Sequence, residues 1–203
     1  MFALTLPEKV ATYLSELYAS RSVILEYGTG GSTFLALEAN DQNMVFACET
    51  DSTWLNRLCT EVSLRGLGGR FYPIYQDIGA TKEWGKPDFE KEPYSDARGA
   101  LMVKAPGLPW PIMNKLGVSP DTILIDGRFR VACFLACWAN IQKPTTLVFD
   151  DYAERSGYHI VEKLVKPVEL IDRAAIFKLT PQSGGVDIKS FLNTFTPALV
   201  SPN

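Results

Sequence analysis

Along this chain, short unbroken apolar runs alternate with stretches in which apolar residues recur three or four positions apart. The first kind fits a strand buried on both faces, the second a helix with one apolar side. Residues 7–20 read as a helix with Val10, Tyr13, Leu14 and Leu17 on one face and Pro7 in its first turn. Residues 22–27 read as a strand, 32–39 as a helix presenting Phe34, Leu35 and Leu37, and 44–48 as a second strand ending at Glu49. A helix over 51–64, capped by Asp51 or Ser52, leads past Gly66, Gly68 and Gly69 to a third strand at 71–75.

The alternation stops over 77–120. Six of the 13 prolines fall there (Pro87, Pro93, Pro106, Pro109, Pro111 and Pro120), with five glycines among them. That density predicts an irregular insert, a lid or binding loop, with at most one or two short helices. Strand, helix, strand and helix resume at 122–125, 129–141, 146–149 and 155–165. The apolar runs at 168–171 and 175–179 lie too close for a crossover helix, so they should pair antiparallel. One short helix is expected near 187–195. The whole reads as a single α/β domain over 1–203, a mostly parallel sheet with helices on both faces.

Composition narrows the partners. With 203 residues, 46% hydrophobic and 21% charged, the chain has enough apolar side chains for one substantial core. A net charge of -3 without a basic block argues against nucleic acid, and a small molecule is the better expected partner. No apolar run approaches the roughly 18 residues of a membrane span, and the first residues carry no basic, apolar leader pattern. Cytoplasmic location is the simplest expectation, and a homo-oligomer is compatible with it. Cys48, Cys59, Cys133 and Cys137 form no Cys-x-x-Cys pair. With a single histidine they make a poor zinc set, and Cys133 and Cys137 read as buried thiols.

The candidate chemistry begins at Glu26-Tyr-Gly-Thr-Gly-Gly-Ser32, a strand, a glycine turn and a helix start. Such a turn brings a ligand close to backbone amides at a helix N-terminus. Thr33 stands where the dinucleotide fingerprint wants its last glycine. Glu26 could face a cationic amino group, and Glu49 could accept both hydroxyl hydrogens of a ribose. An NAD(P)-linked oxidoreductase would use Glu49 but not Glu26. The motif resembles the acidic-x-Gly-x-Gly-x-Gly turn of class I S-adenosylmethionine (SAM)-dependent methyltransferases, with Ser32 replacing the last glycine. Glu49 resembles the family's second-strand acid, and Gln76-Asp77-Ile78 its third-strand motif at the adenine. The resemblance covers roughly residues 20–180. It implies a Rossmann-like seven-stranded sheet of order 3-2-1-4-5-7-6, its last strand antiparallel. It also implies SAM as cofactor, held by Glu26, Gly28, Thr29, Gly30, Gly31, Ser32, Glu49, Asp77 and Ile78.

Two later strands end in acid, at Asp126-Gly127 and at Asp150-Asp151-Tyr152. Converging carboxylates repel unless they are protonated, paired or bridged by a cation, and an all-oxygen set suits Mg²⁺. The pair resembles the divalent-metal O-methyltransferases of catechol and macrocin type, which implies Asp126, Asp150 and Asp151 as metal ligands. Arg128 and Arg130 beside Asp126 offer the alternative of an arginine-balanced site, or of contacts to an anionic substrate group. Asp126, Arg128 and His159, the lone histidine, are the catalytic candidates, with His159 a natural base near neutral pH. Arg130, Tyr152, Arg155 and Tyr158 are candidate substrate contacts, and Trp84, Trp110 and Tyr94 could wall a pocket. The expected activity is SAM-dependent methyl transfer to a small molecule, at oxygen. The alternatives are a cofactor-binding module without catalysis and the oxidoreductase.

Overall fold

The computed structural model describes residues 2–20 and 22–182. Helix α1 (Glu8–Ala19) precedes strand β1 (Val23–Tyr27), α2 (Gly31–Ala39), β2 (Met44–Glu49), α3 (Ser52–Leu64) and β3 (Phe71–Tyr75). After the insert come β6 (Thr122–Ile125), α6 (Arg130–Asn140), β7 (Thr145–Phe149), β8 (Glu169–Ile171) and β9 (Ala174–Leu179). The main sheet runs β3-β2-β1-β6-β7-β9-β8, which is the expected 3-2-1-4-5-7-6. Only β9 runs against the rest, antiparallel to both β7 and β8.

Alternate residues of each central strand feed opposite faces of the sheet. Val23, Leu25 and Tyr27 enter a core shared with Met102, Trp110, Met113 and α6. Ile24, Val45 and Leu124 enter a second core against α1, α2 and α3, with Leu14, Leu37, Leu58 and Val62. Both faces are therefore dry, so β1, β6 and β7 are buried at every position and lack a polar alternation.

The insert is more ordered than its prolines suggest. A two-stranded hairpin, β4 (Thr81–Lys82) with β5 (Lys86–Pro87), is followed by two short helices, α4 (Asp96–Lys104) and α5 (Pro109–Lys115). Buried Arg98 holds the hairpin's approach by donating to the carbonyls of Ile78 (2.9 Å), Ala80 (2.6 Å) and Asp88 (3.1 Å). The segment expected as an α-helix over 155–165 is a 3-10 helix, Ser156–Lys163. Its buried residues, Tyr158 and Val161, are three apart, the spacing that a three-residue turn brings to one face. The helix expected near 187–195 lies outside the described residues. Among the described residues, no helix is long and apolar enough to cross a membrane. Cys133 and Cys137 are buried and free, as their spacing suggested.

Candidate functional site

The strand order reverses between β1 and β6, and their C-terminal ends open the crevice in which α/β sheets hold ligands. Two turns meet there back to back. Gly28 has φ +94°, and a Cβ on it would lie 2.6 Å from the amide nitrogen of Gly127. A Cβ on Gly127 would lie 2.8 Å from the nitrogen of Gly28. Only two glycines let the turns approach this closely. Gly30, in contrast, is not crowded: a Cβ on it would meet the Trp54 ring at 3.8 Å, an ordinary van der Waals contact. Gly31 is glycine for a reason the motif did not suggest: its Cβ would strike the backbone of Leu4 at 2.6 Å. The segment before α1 thus crosses the turn. Phe2 anchors it edge-on to Trp54, 4.7 Å between ring centroids, and beside Phe34.

Glu26 does not face the crevice. It projects from β1 into the α1–α2 side, fully buried, where Thr33 Oγ1 donates to it (2.8 Å) and Tyr18 lies at 3.4 Å. Thr33 Oγ1 in turn accepts the Gly30 amide (3.1 Å). The carboxyl therefore fastens the turn from behind through Thr33, the residue that spoiled the dinucleotide fingerprint. Burial pushes Glu26 up to about 7, although hydrogen bonds from Thr33, Ser32 and Tyr18 pull it down. Strand alternation gives the carboxyl this direction, toward Thr33 and Tyr18.

Glu49 ends β2 at the crevice mouth. Its Oε2 accepts the amide (3.3 Å) and hydroxyl (3.0 Å) of Thr29, and its Oε1 accepts the amides of Thr50 (2.7 Å) and Asp51 (3.0 Å). Trp54 Nε1 donates to the Thr29 carbonyl (2.9 Å), and Asp51 caps α3 at the Trp54 amide (2.9 Å). Sequence reasoning found Thr29 and Glu49 but not Trp54, which locks them together. Past β3, Asp77 is exposed and accepts the Gly79 amide (3.0 Å). Ile78 is buried in the core shared with Ile74, Met102 and Trp110.

Asp126, Asp150 and Asp151 do converge, with carboxylate oxygens within 4.8 Å of one another. Every one of them is held by a guanidinium. Buried Arg130 pairs with Asp126 and Asp151, each at 3.1 Å. Its remaining donors reach the carbonyls of Gly127, Asp126 and Asp150. Arg173 pairs with Asp150 (2.7 Å) and Asp151 (3.1 Å), and Arg155 with Asp151 (2.8 Å). Sequence reasoning missed Arg173, which comes from the β8–β9 turn. These residues do not fit a divalent cation, because the positive charge it would supply is already present as arginine. Burial raises the Asp126 carboxyl to about 7 against the pull of Arg130, and neighbouring Asp150 raises it further. Three backbones bordering the cluster adopt the left-handed region without being glycine: Phe129 (φ 54°), Asp151 (φ 56°) and Asp172 (φ 55°). Such strain persists only where surrounding contacts over-determine it.

The other candidates separate. Arg130 is buried, its guanidinium taken up by the aspartates and carbonyls around it. Tyr152 is buried and its hydroxyl donates to Glu162 (2.9 Å), while Tyr158 is buried beside Phe149. His159 lies 4.7 Å from the Tyr152 ring, with Nε2 3.1 Å from the Tyr152 carbonyl, so that nitrogen is committed to the fold. Arg155 is exposed on the rim, and half-buried Arg128 lies beside Asp126 in sequence. Burial and the nearby Arg130 pull the Arg128 guanidinium below its usual value. Trp110 is core, donating to the Tyr27 hydroxyl (3.2 Å); Trp84, at the hairpin tip, is 74% exposed, and Tyr94 is also exposed.

The chain is similar over its length to a methyltransferase-like protein from Silicibacter pomeroyi, with 34% identity and a TM-score of 0.84 over 99% of this chain and 98% of that one. Two more distant structures share the fold. One is the O-methyltransferase TomG from Streptomyces achromogenes, involved in tomaymycin synthesis and solved in complex with SAM (12% identity, TM-score 0.56, 88% of this chain, 82% of that one). The other is a SAM-dependent O-methyltransferase from Thermotoga maritima (12% identity, TM-score 0.55, 91% of this chain, 69% of that one). No protein-family model and no curated protein matches the chain.

Proposed function

The chain belongs to the class I SAM-dependent methyltransferases, as a methyltransferase-like member, and from that premise we propose that it methylates a small molecule at oxygen. The observation that carries the cofactor part of this reading is the clasp of Thr29 and Glu49 between the glycine turn and the end of β2. The residues there fit the cofactor. A glycine turn lies at a helix N-terminus, and a carboxylate ends the neighbouring strand. SAM supplies a methyl group already activated by a cationic sulfur, so the protein's task is mainly alignment and exclusion of water.

On this reading, residues 28–32 hold the amino-acid end of the cofactor, with Glu26 keeping the turn in shape through Thr33. Glu49 takes the ribose hydroxyls in exchange for the Thr29 hydroxyl, and Asp77 lies at the adenine edge. Asp126, whose carboxyl titrates near 7, accepts the proton that the acceptor hydroxyl loses. Arg128 and Arg155 stand at the acceptor's side of the rim.

Calorimetric titration with SAM, S-adenosylhomocysteine and NAD tests the cofactor assignment. Both adenosyl ligands should bind and NAD should not; the reverse pattern removes it. Glu49→Ala should weaken SAM binding by about tenfold or more, roughly 1.4 kcal/mol. Unchanged affinity would show that Glu49 does not hold the ribose.

A further inference from the structure

We infer that Arg173, together with Arg130, permanently fills the place a divalent cation would take among Asp126, Asp150 and Asp151, so that this rim works without metal. The guanidiniums already supply enough positive charge for the three carboxyls. Three carboxylates face three guanidiniums, those of Arg130, Arg155 and Arg173. A divalent ion added among them would leave an excess of at least two positive charges a few ångströms from fixed cations. It would also have to break the pairs to gain oxygen ligands, because Mg²⁺ requires a near-octahedral oxygen shell at about 2.0–2.1 Å.

Arg173 is no chance surface partner. Asp150 is completely buried, and the Arg173 fork grips both of its oxygens, Nε to Oδ1 at 3.0 Å and Nη2 to Oδ2 at 2.7 Å. The backbone of Arg173 is latched to the same loop, since its carbonyl accepts the amides of Tyr152 (2.7 Å) and Ala153 (3.0 Å). Planar, bidentate pairing of this kind is what arginine provides and a spherical ion does not. Its Nη2 also reaches the Thr5 carbonyl at 3.4 Å, which ties the segment crossing the glycine turn to the acidic rim. Arg173 is thus a positioning residue that orders both sides of the crevice. The inference concerns the rim alone and stands whether or not the chain transfers methyl groups.

Titration with Mn²⁺ followed by electron paramagnetic resonance, with thermal melts in MgCl₂, tests it on the full chain. The wild type should show no saturable Mn²⁺ site and no shift in melting temperature with Mg²⁺. Arg173→Ala exposes Asp150 and Asp151. It should gain one Mn²⁺ site and melt about 2–4 °C higher once the ion exceeds its Kd about fivefold. Arg173→Gln, which removes the charge but keeps hydrogen-bonding capacity, serves if the alanine variant does not fold. One Mn²⁺ per wild-type chain, abolished by Asp150→Asn, overturns the inference. So does a folded Arg173 variant that binds no more Mn²⁺ than the wild type.

Discussion

Glu26 shows how a single buried carboxyl can hold a turn from behind. It bonds Thr33, and Thr33 bonds the Gly30 amide. Burial raises its folded pKa from 4.5 to about 7. Between those values the unfolded chain has released a proton that the folded chain still holds, so stability is fully present below about 4.5 and is lost as pH rises through 7. Glu26→Gln should remove up to about 3 kcal/mol of that decline, read from urea unfolding at pH 5 and pH 8. A slope should persist in the variant, because Asp126 is raised in the same direction. An unchanged pH profile would show that Glu26 is not the titrating group. The sequence revealed the acid but not its direction. Leu25 and Glu26 alternate across one strand, and which side holds the crevice is decided only when the helices pack.

Elements were legible where burial is uniform. β1, β6 and β7 have dry faces on both sides, so they appear in the sequence as apolar runs, and the short link between β8 and β9 revealed their antiparallel pairing. The insert was less legible because its order comes from side chains reaching loop carbonyls far from them in sequence, Arg98 making the most of these bonds. Arg98, on α4, binds three carbonyls around the hairpin, and its guanidinium lies 4.9 Å from the Phe89 ring centroid. Arg98→Ala would leave the Ile78 carbonyl unpaired and take one of two donors from the carbonyls of Ala80 and Asp88, which still accept the Asp88 and Glu92 amides, costing about 1–3 kcal/mol. Limited proteolysis should then cut first within residues 77–92; wild-type cleavage kinetics in that segment would refute the role. The 3-10 helix at Ser156–Lys163 was misread for a related reason, since an apolar spacing of three occurs in both helix types.

At the scale of the molecule, the sheet's centre is also its most protected part. β2, β1, β6 and β7 are each paired on both sides, whereas β3 and β8 are edges. Amide exchange should therefore be slowest in β1 and β6 and fastest in β8, where Leu170 stays exposed, as does Val168 just before it. Early exchange in β1 would mean that the crevice opens by unfolding its floor. The site combines parts of different visibility. The glycine turn, Glu49 and the three aspartates are local motifs, but Trp54, Arg173 and the Leu4 crossing come from segments that only tertiary structure brings near.

The meeting of Gly28 and Gly127 has a consequence for how such a sequence can change over generations. Each glycine excludes a side chain because the other's backbone occupies its space. Neither position can drift first, since a single step at either pushes the two loops apart. The two sites are inherited as one character, and across descendants of this chain they should stay fixed together or be lost together.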